Sequence, residues 1–242
     1  MIICKPATIS TVTASSENAT YPDDNLLDER PKIGWQASTS AVTSATLTLT
    51  LTGPVDTVVL LGAVAATATL ERWTGSAYAA PAGLVAADYA DSYGATMAHW
   101  WTFTALTGSV QLRITLTQTG SSVISATNLL AGNAATIDGV EYPLQESLVD
   151  TSIRAQLLDG SEYYKKRDIY RAFSGTLRAD RAATVEPLLR AVCRTYGSVP
   201  MAVQIAPTVS DAFMVYGRMG MAQASHAWPT VSQASFELVE VV

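Results

Sequence analysis

The chain has 242 residues, with 15 Lys and Arg against 21 Asp and Glu, a net charge of −6, and only 15% charged but 48% hydrophobic residues. That length supports two cores, and so low a charge content marks an ordered chain with a bland surface, part of which neighbouring molecules are expected to cover. Residues 1–145 carry 5 basic and 11 acidic side chains and residues 146–242 carry 10 of each, so neither half offers the basic footprint of a nucleic-acid binder.

The first strand is expected over 7–15. Residues 18–38, NATYPDDNLLDERPKIGWQAS, form an acidic, turn-rich loop that ends in Trp35. Pro22 and Pro31 prevent it from being a continuous helix. Directly afterwards Leu47, Leu49 and Leu51 alternate with Thr46, Thr48, Thr50 and Thr52, the pattern of a half-buried strand over 45–51. Further strands are expected over 57–63, 68–74, 98–104 and 109–117, with a weaker one near 136–141. Gly53-Pro54, Thr74-Gly75-Ser76, Gly108-Ser109 and Asp138-Gly139 separate them as turn signals. Many short strands at near-regular spacing predict a β-sandwich or jelly roll.

A domain boundary is expected within 141–147, where Tyr142-Pro143 reads as an extended linker, giving domains 1–145 and 146–242. In the second, strands over 152–158 and 163–177 are joined by Asp159-Gly160-Ser161, a hairpin turn. A helix over 181–196 follows. Asp180 is its N-cap, or Thr184 if Pro187 is to lie in the first turn, and Gly197 is its C-cap. Val185, Leu188, Leu189, Val192 and Tyr196 form one apolar stripe. Strands over 201–205, 213–219 and 232–241 close an α+β half. The two cysteines, Cys4 and Cys193, exclude a disulfide framework. The opening MIICKPATIS lacks a secretory pattern, and the longest apolar run, 58–66, is too short for a bilayer.

Tyr21-Pro22, Asn25-Leu26-Leu27-Asp28, Arg30-Pro31 and Trp35, followed by the leucine–threonine strand and Val58-Val59-Leu60-Leu61-Gly62, resemble the opening of galactose-binding-like, discoidin-type jelly rolls. Asp168-Ile169-Tyr170-Arg171, Gly175-Thr176-Leu177, the helix, Met201-Ala202-Val203 and Phe236-Glu237-Leu238 are similar to the small tail-tube-like domains of phage minor tail and distal tail proteins. The resemblance implies a mainly β chain: an N-terminal jelly-roll β-sandwich and a C-terminal α+β domain with one helix packed on a β-sheet or barrel. It implies a structural component of a long-tailed phage tail tip or baseplate, carried in the virion and made in the host cytoplasm without a signal peptide. The partners it implies are copies of the chain in a ring, and the tail tube, hub and tape measure proteins. No cofactor, membrane span or nucleic-acid specificity is expected. The alternative is a carbohydrate-binding module that touches host glycan during adsorption. A basic or amide cluster beside an exposed Trp would favour it, and the sequence shows none.

Trp35 either stacks on a sugar or anchors its loop in the core. Asp23, Asp24, Asn25 and Asp28 are either oxygen ligands for a calcium ion or residues of a capped turn. Trp73, Tyr78, Tyr89, Tyr93 and one of Trp100 and Trp101 are candidates for a glycan surface or a subunit interface. In a strand over 163–171, Lys165, Arg167 and Arg171 share a face that meets a neighbour's carboxylates or stays solvated. Residues 152–177 and 232–241 are the strands expected to pair between copies. Catalysis is not expected: His99 and His226 are the only histidines, and no nucleophile elbow, metalloprotease, phosphate-loop or Cys-x-x-Cys motif is present.

Overall fold

A computed structural model of the protein describes residues 1–39, 42–90, 97–136, 140–156, 161–180, 194–195, 199–205, 214–225 and 231–241. The described chain is mainly β, and every strand pairing described in it is antiparallel. It divides into two compact units: residues 1–136 with 201–215, and residues 137–200 with 216–242.

The first unit contains β1 (Ile2–Pro6), β2 (Ile9–Ala14), β3 (Trp35–Gln36), β4 (Ser44–Thr52), β5 (Val55–Ala63) and β6 (Thr67–Trp73). It continues with β7 (Tyr78–Ala79), β8 (Val85–Ala90), β9 (Met97–Leu106), β10 (Ser109–Thr117), β11 (Ser125–Ala126) and β12 (Asn128–Thr136). The remaining strands are β13 (Val140–Asp150), β14 (Ile153–Gln156), β15 (Glu162–Lys165), β16 (Ile169–Asp180), β17 (Met201–Gln204), β18 (Met214–Ser225) and β19 (Val231–Glu240).

Two sheets of the first unit face each other across one core. One has the order β2-β4-β10-β6-β7, and the other runs β17-β1-β12-β5-β9-β8. The alternation read in the sequence decides the faces. Leu47, Leu49 and Leu51 of β4 and Leu112, Ile114 and Leu116 of β10 point inward, against Val58, Leu60, Trp101, Phe103 and Leu129 of the opposite sheet. Thr46, Thr48 and Thr50 lie on the outer face, opposite Thr115, Arg113 and Gln111. Of the strand expected near 136–141, Thr136 ends β12 and Val140 and Glu141 open β13, while residues 137–139 lie outside the described residues; β1, β8 and β12 have no counterpart among the expected strands. The division of the chain also differs from a single cut near residue 145. β17 returns to pair with β1, which lies between it and β12, so residues 201–215 complete the first unit.

In the second unit the order is β13-β16-β19-β18, and β14 and β15 form a separate two-stranded hairpin. The continuous strand expected over 163–177 is interrupted at residues 166–168. There the Arg167 amide donates to Ser152 Oγ at 3.0 Å and Thr151 Oγ1 donates to the Asp168 carbonyl at 3.1 Å, so side chains take the place of ladder bonds. Of the helix expected over 181–196, only Arg194 and Thr195 are described, and both are helical; the rest lies outside the described residues, with Cys193 and Gly197. The other helical turns described, Asp23–Leu27 and Pro31–Ile33, are 3-10 turns.

Cys4 of β1 is fully buried, and that burial is the main reason its thiol is pushed up to about 12. At pH 8 only about one molecule in ten thousand holds the reactive thiolate. Because the folded value lies above the ordinary ~8.5, the neutral thiol's contribution to stability is complete below that pH and is lost as pH rises towards 12. Peptide mapping after iodoacetamide treatment at pH 8 is expected to find Cys4 unmodified in native protein and fully modified after guanidinium.

Candidate functional site

The candidate ligand-binding aromatics do not form one site. Trp35 is 0% exposed and its indole N–H donates to the Ser16 carbonyl at 3.1 Å. No ring face is left for a sugar, so it is the anchor of its loop. Trp100 and Trp101 are also both buried. Trp101 lies in the core between the sheets and stacks on His99 at 5.6 Å, while Trp100 points from the opposite face of β9. Tyr89, in β8, is half-buried, and its hydroxyl accepts from Gln204 Nε2 at 2.6 Å. Tyr93 lies outside the described residues.

Trp73 and Tyr78 do come together, as cross-strand partners of β6 and β7 on the outer face of the five-stranded sheet. Their ring centroids are 5.1 Å apart at 58°, and Trp73 keeps 41% of its surface exposed. Beyond Tyr78 lies Arg113, its guanidinium 3.9 Å from the ring centre. Arg113 is held in turn by Glu71, its cross-strand neighbour, with Nε and Nη2 both donating to Oε2 at 3.0 and 2.6 Å. Glu71, Arg113, Tyr78 and Trp73 are thus a fixed stack that ends in an exposed indole. Beside it opens a groove of about 520 Å³, lined by Thr50, Arg72, Trp73, Gln111 and the β9–β10 turn. Among the described residues the Arg72 side chain has neither a hydrogen bond nor an ion pair. The sequence did not reveal this amide-and-guanidinium cluster, because the pairing of β4, β10 and β6 assembles it from three separate segments.

The carboxylates weighed as ion ligands are used within the loop. Asp23 accepts from the Ala14 amide at 2.6 Å. Asp28 accepts from the Arg30 amide, Nε and Nη2 at 2.9, 2.9 and 2.7 Å, and those bonds hold its carboxyl down at about 2. Asp24 opens the first 3-10 turn with Asp23. Among the described residues no three His, Cys, Asp or Glu side chains gather as metal ligands. His99 Nδ1 meets Asp88 Oδ1 at 2.7 Å, but the ring is buried; His226 lies outside the described residues.

The three cations expected on one strand face are separated. Lys165 ends β15, Arg167 lies in the break that follows, and both are exposed. Arg171 is buried in β16 and bonded to Glu240 of β19, with Nη2 2.7 Å from Oε1, so it cannot reach a neighbour. Nor is β19 an open edge, since β16 and β18 flank it. The open backbone of the second unit lies at β13, the outer strand of its sheet, and along the β14–β15 hairpin. Every residue of β15 is exposed, Tyr163 by 48%, and Leu148 of β13 by 61%.

No family model and no curated protein matches this chain. A chain in the crystal structure of reduced XRCC1 bound to the catalytic domain of DNA polymerase β is similar over 54% of this chain and 98% of its own, at 12% identity and a TM-score of 0.41. A likeness that weak identifies no function.

Proposed function

We propose that this chain is a non-enzymatic structural subunit of a long-tailed phage tail tip or baseplate. The first unit is a galactose-binding-like jelly roll that decorates the assembly. The second is a tail-tube-like domain that joins its copies, and the neighbouring tail tube, hub and tape measure proteins, through strand contacts. Repetition of one heterologous interface closes such subunits into a ring around the tail axis.

The observation that carries this reading is the hairpin of β14 and β15. Two strands alone are at best marginally stable in water. This hairpin nonetheless presents Ile153, Tyr163 and Tyr164 to solvent, and Leu148 and Ile169 are exposed nearby in sequence. An open strand edge with apolar and tyrosyl side chains is an aggregation hazard in a monomer and an interface in an assembly. Lys165 and Arg167 add charge that steers the encounter.

Light scattering on the full chain at tens of micromolar tests the reading. The expected result is a discrete oligomer for the parent protein. The Ile153→Ser/Tyr163→Ser double variant is expected to be monomeric with an unchanged circular dichroism spectrum. An oligomer of the same mass in that variant would remove the hairpin from the interface.

A further inference from the structure

We infer that the groove beside Trp73 is a binding site for an acidic glycan, one that combines pyranose rings with carboxylate or phosphate groups. The site lies wholly in the first unit and its inference does not depend on the assembly reading.

Three features point to this chemistry. The first is the platform. An exposed indole on a flexible side chain would be unremarkable, but Trp73 is braced by Tyr78, Tyr78 by Arg113, and Arg113 by Glu71. The ring is therefore held before any ligand arrives, which lowers the ordering cost of binding. A flat, supported indole suits the C–H face of a sugar ring, an apolar surface bordered by hydroxyls. The second feature is charge. Arg72 is only half exposed, lines the same groove, and among the described residues no carboxylate pairs with it. Guanidinium binds carboxylate and phosphate through paired N–H donors, and a partly desolvated, unpaired one favours such a ligand. The third is the polar border. Gln111 and Thr50 offer amide and hydroxyl groups that both donate and accept, as ring hydroxyls require. From Thr50 the outer face continues through Thr48 and Thr46, and Thr46 is opposite Thr115, so a polymer can extend along it. The groove's volume, about 520 Å³, is that of a small-ligand site. A nucleic acid fits less well: binding it takes several cations along a track, whereas this half of the chain carries 5 basic against 11 acidic residues.

Calorimetry on the full chain tests the site with three probes: an oligogalacturonide, a poly(glycerol phosphate) carrying glucosyl groups, and cellohexaose as the neutral control. At least one acidic probe is expected to bind more tightly than cellohexaose, and the tighter of the two identifies the acid. Trp73→Ala should weaken the acidic probe by roughly tenfold or more, while Trp73→Phe keeps a ring and most of the affinity. Arg72→Gln should cost about tenfold for the acidic probe and leave any neutral binding as it was, the loss of one charge-assisted contact. Neither side chain belongs to the buried core, so the fold should persist and thermal midpoints should shift by no more than a few degrees. The inference is overturned if neither acidic probe binds, if Trp73→Ala binds as the parent does, or if an oligonucleotide of equal charge competes equally well.

Discussion

Replacing Trp35 with alanine is expected to lower the stability of the first unit by about 3–5 kcal/mol, the range for deleting a large buried aromatic. Against a typical total of roughly 5–15 kcal/mol for a domain, that is a large share. The cost has two parts. The indole is a member of the core between the two sheets and is completely buried, so its removal leaves a cavity whose walls are strands on both sides. Its N–H also satisfies the Ser16 carbonyl, which would lose its partner. The consequence reaches beyond one side chain, because the loop is closed around this residue. Trp35 pairs with Ala126 across β3 and β11, the Asn18 amide donates to the Gln36 carbonyl, and the Gln36 amide donates to the Tyr21 carbonyl. Gly34, immediately before it, lies so close to the Ala126 carbonyl that a Cβ there would collide with backbone. Hydrogen exchange measured by mass spectrometry on peptides covering 18–38 is the direct readout. Protection there should collapse in Trp35→Ala and fall only partly in Trp35→Phe, which keeps most of the volume but no donor. Unchanged protection in the alanine variant would mean that the loop is held by its backbone bonds alone.

The outcome for Trp35 bears on what a sequence discloses. The leucine–threonine strand was legible because strict alternation has one physical solution: a strand with one buried and one wet face. The core role of Trp35 was among the open readings for the same reason, since a large ring after a turn-rich loop needs somewhere to go. β8, Val85–Ala90, and β12, Asn128–Thr136, were not legible. VAADYA and NLLAGNAAT contain alanines and a glycine on both faces, so no period-2 contrast marks them. The break at residues 166–168 depended on hydroxyls from Thr151 and Ser152, on the other arm of the hairpin. The groove was hidden for a more general reason. Arg72, Gln111 and Thr50 are individually ordinary, and only the register Leu112 opposite Arg72 and Gln111 opposite Thr50 sets them around Trp73. Clusters made by strand pairing carry no local signal, whereas a run of charged residues carries one that misleads. Lys165, Arg167 and Arg171 look like one charged face until the chain turns between them and buries the third.

That third cation supplies the other large expected effect. Arg171→Met is expected to destabilise the second unit by about 3–5 kcal/mol, the cost of stranding one partner of a buried ion pair. Arg171 lies opposite Glu240 across β16 and β19, one step beyond the Ala172–Val239 pair. Both side chains are well removed from solvent, at 8% and 17% exposure. Three hydrogen bonds join them: the Arg171 amide to Oε2 at 2.9 Å, and Nε and Nη2 to Oε1 at 3.1 and 2.7 Å. The guanidinium also lies 5.7 Å from the Phe173 ring, within cation–π range. Removing the guanidinium leaves the Glu240 carboxylate half-desolvated, with Oε1 stripped of its two donors and only the residue 171 amide still donating to Oε2. Glu240→Leu should cost a comparable amount for the converse reason. The double variant Arg171→Met/Glu240→Leu should recover much of the loss, because two apolar side chains of similar volume can pack where an ion pair stood. A urea-unfolding cycle over the four proteins measures the coupling, and a second-unit transition followed by near-ultraviolet circular dichroism keeps it separate from the first unit. If the two losses simply add, the pair does not act as a unit and Arg171 returns to the set of cations free to face a neighbouring subunit. If they couple, β16 and β19 are locked together in the single chain, and the proposed assembly has the β13 edge and the β14–β15 hairpin left for its contacts.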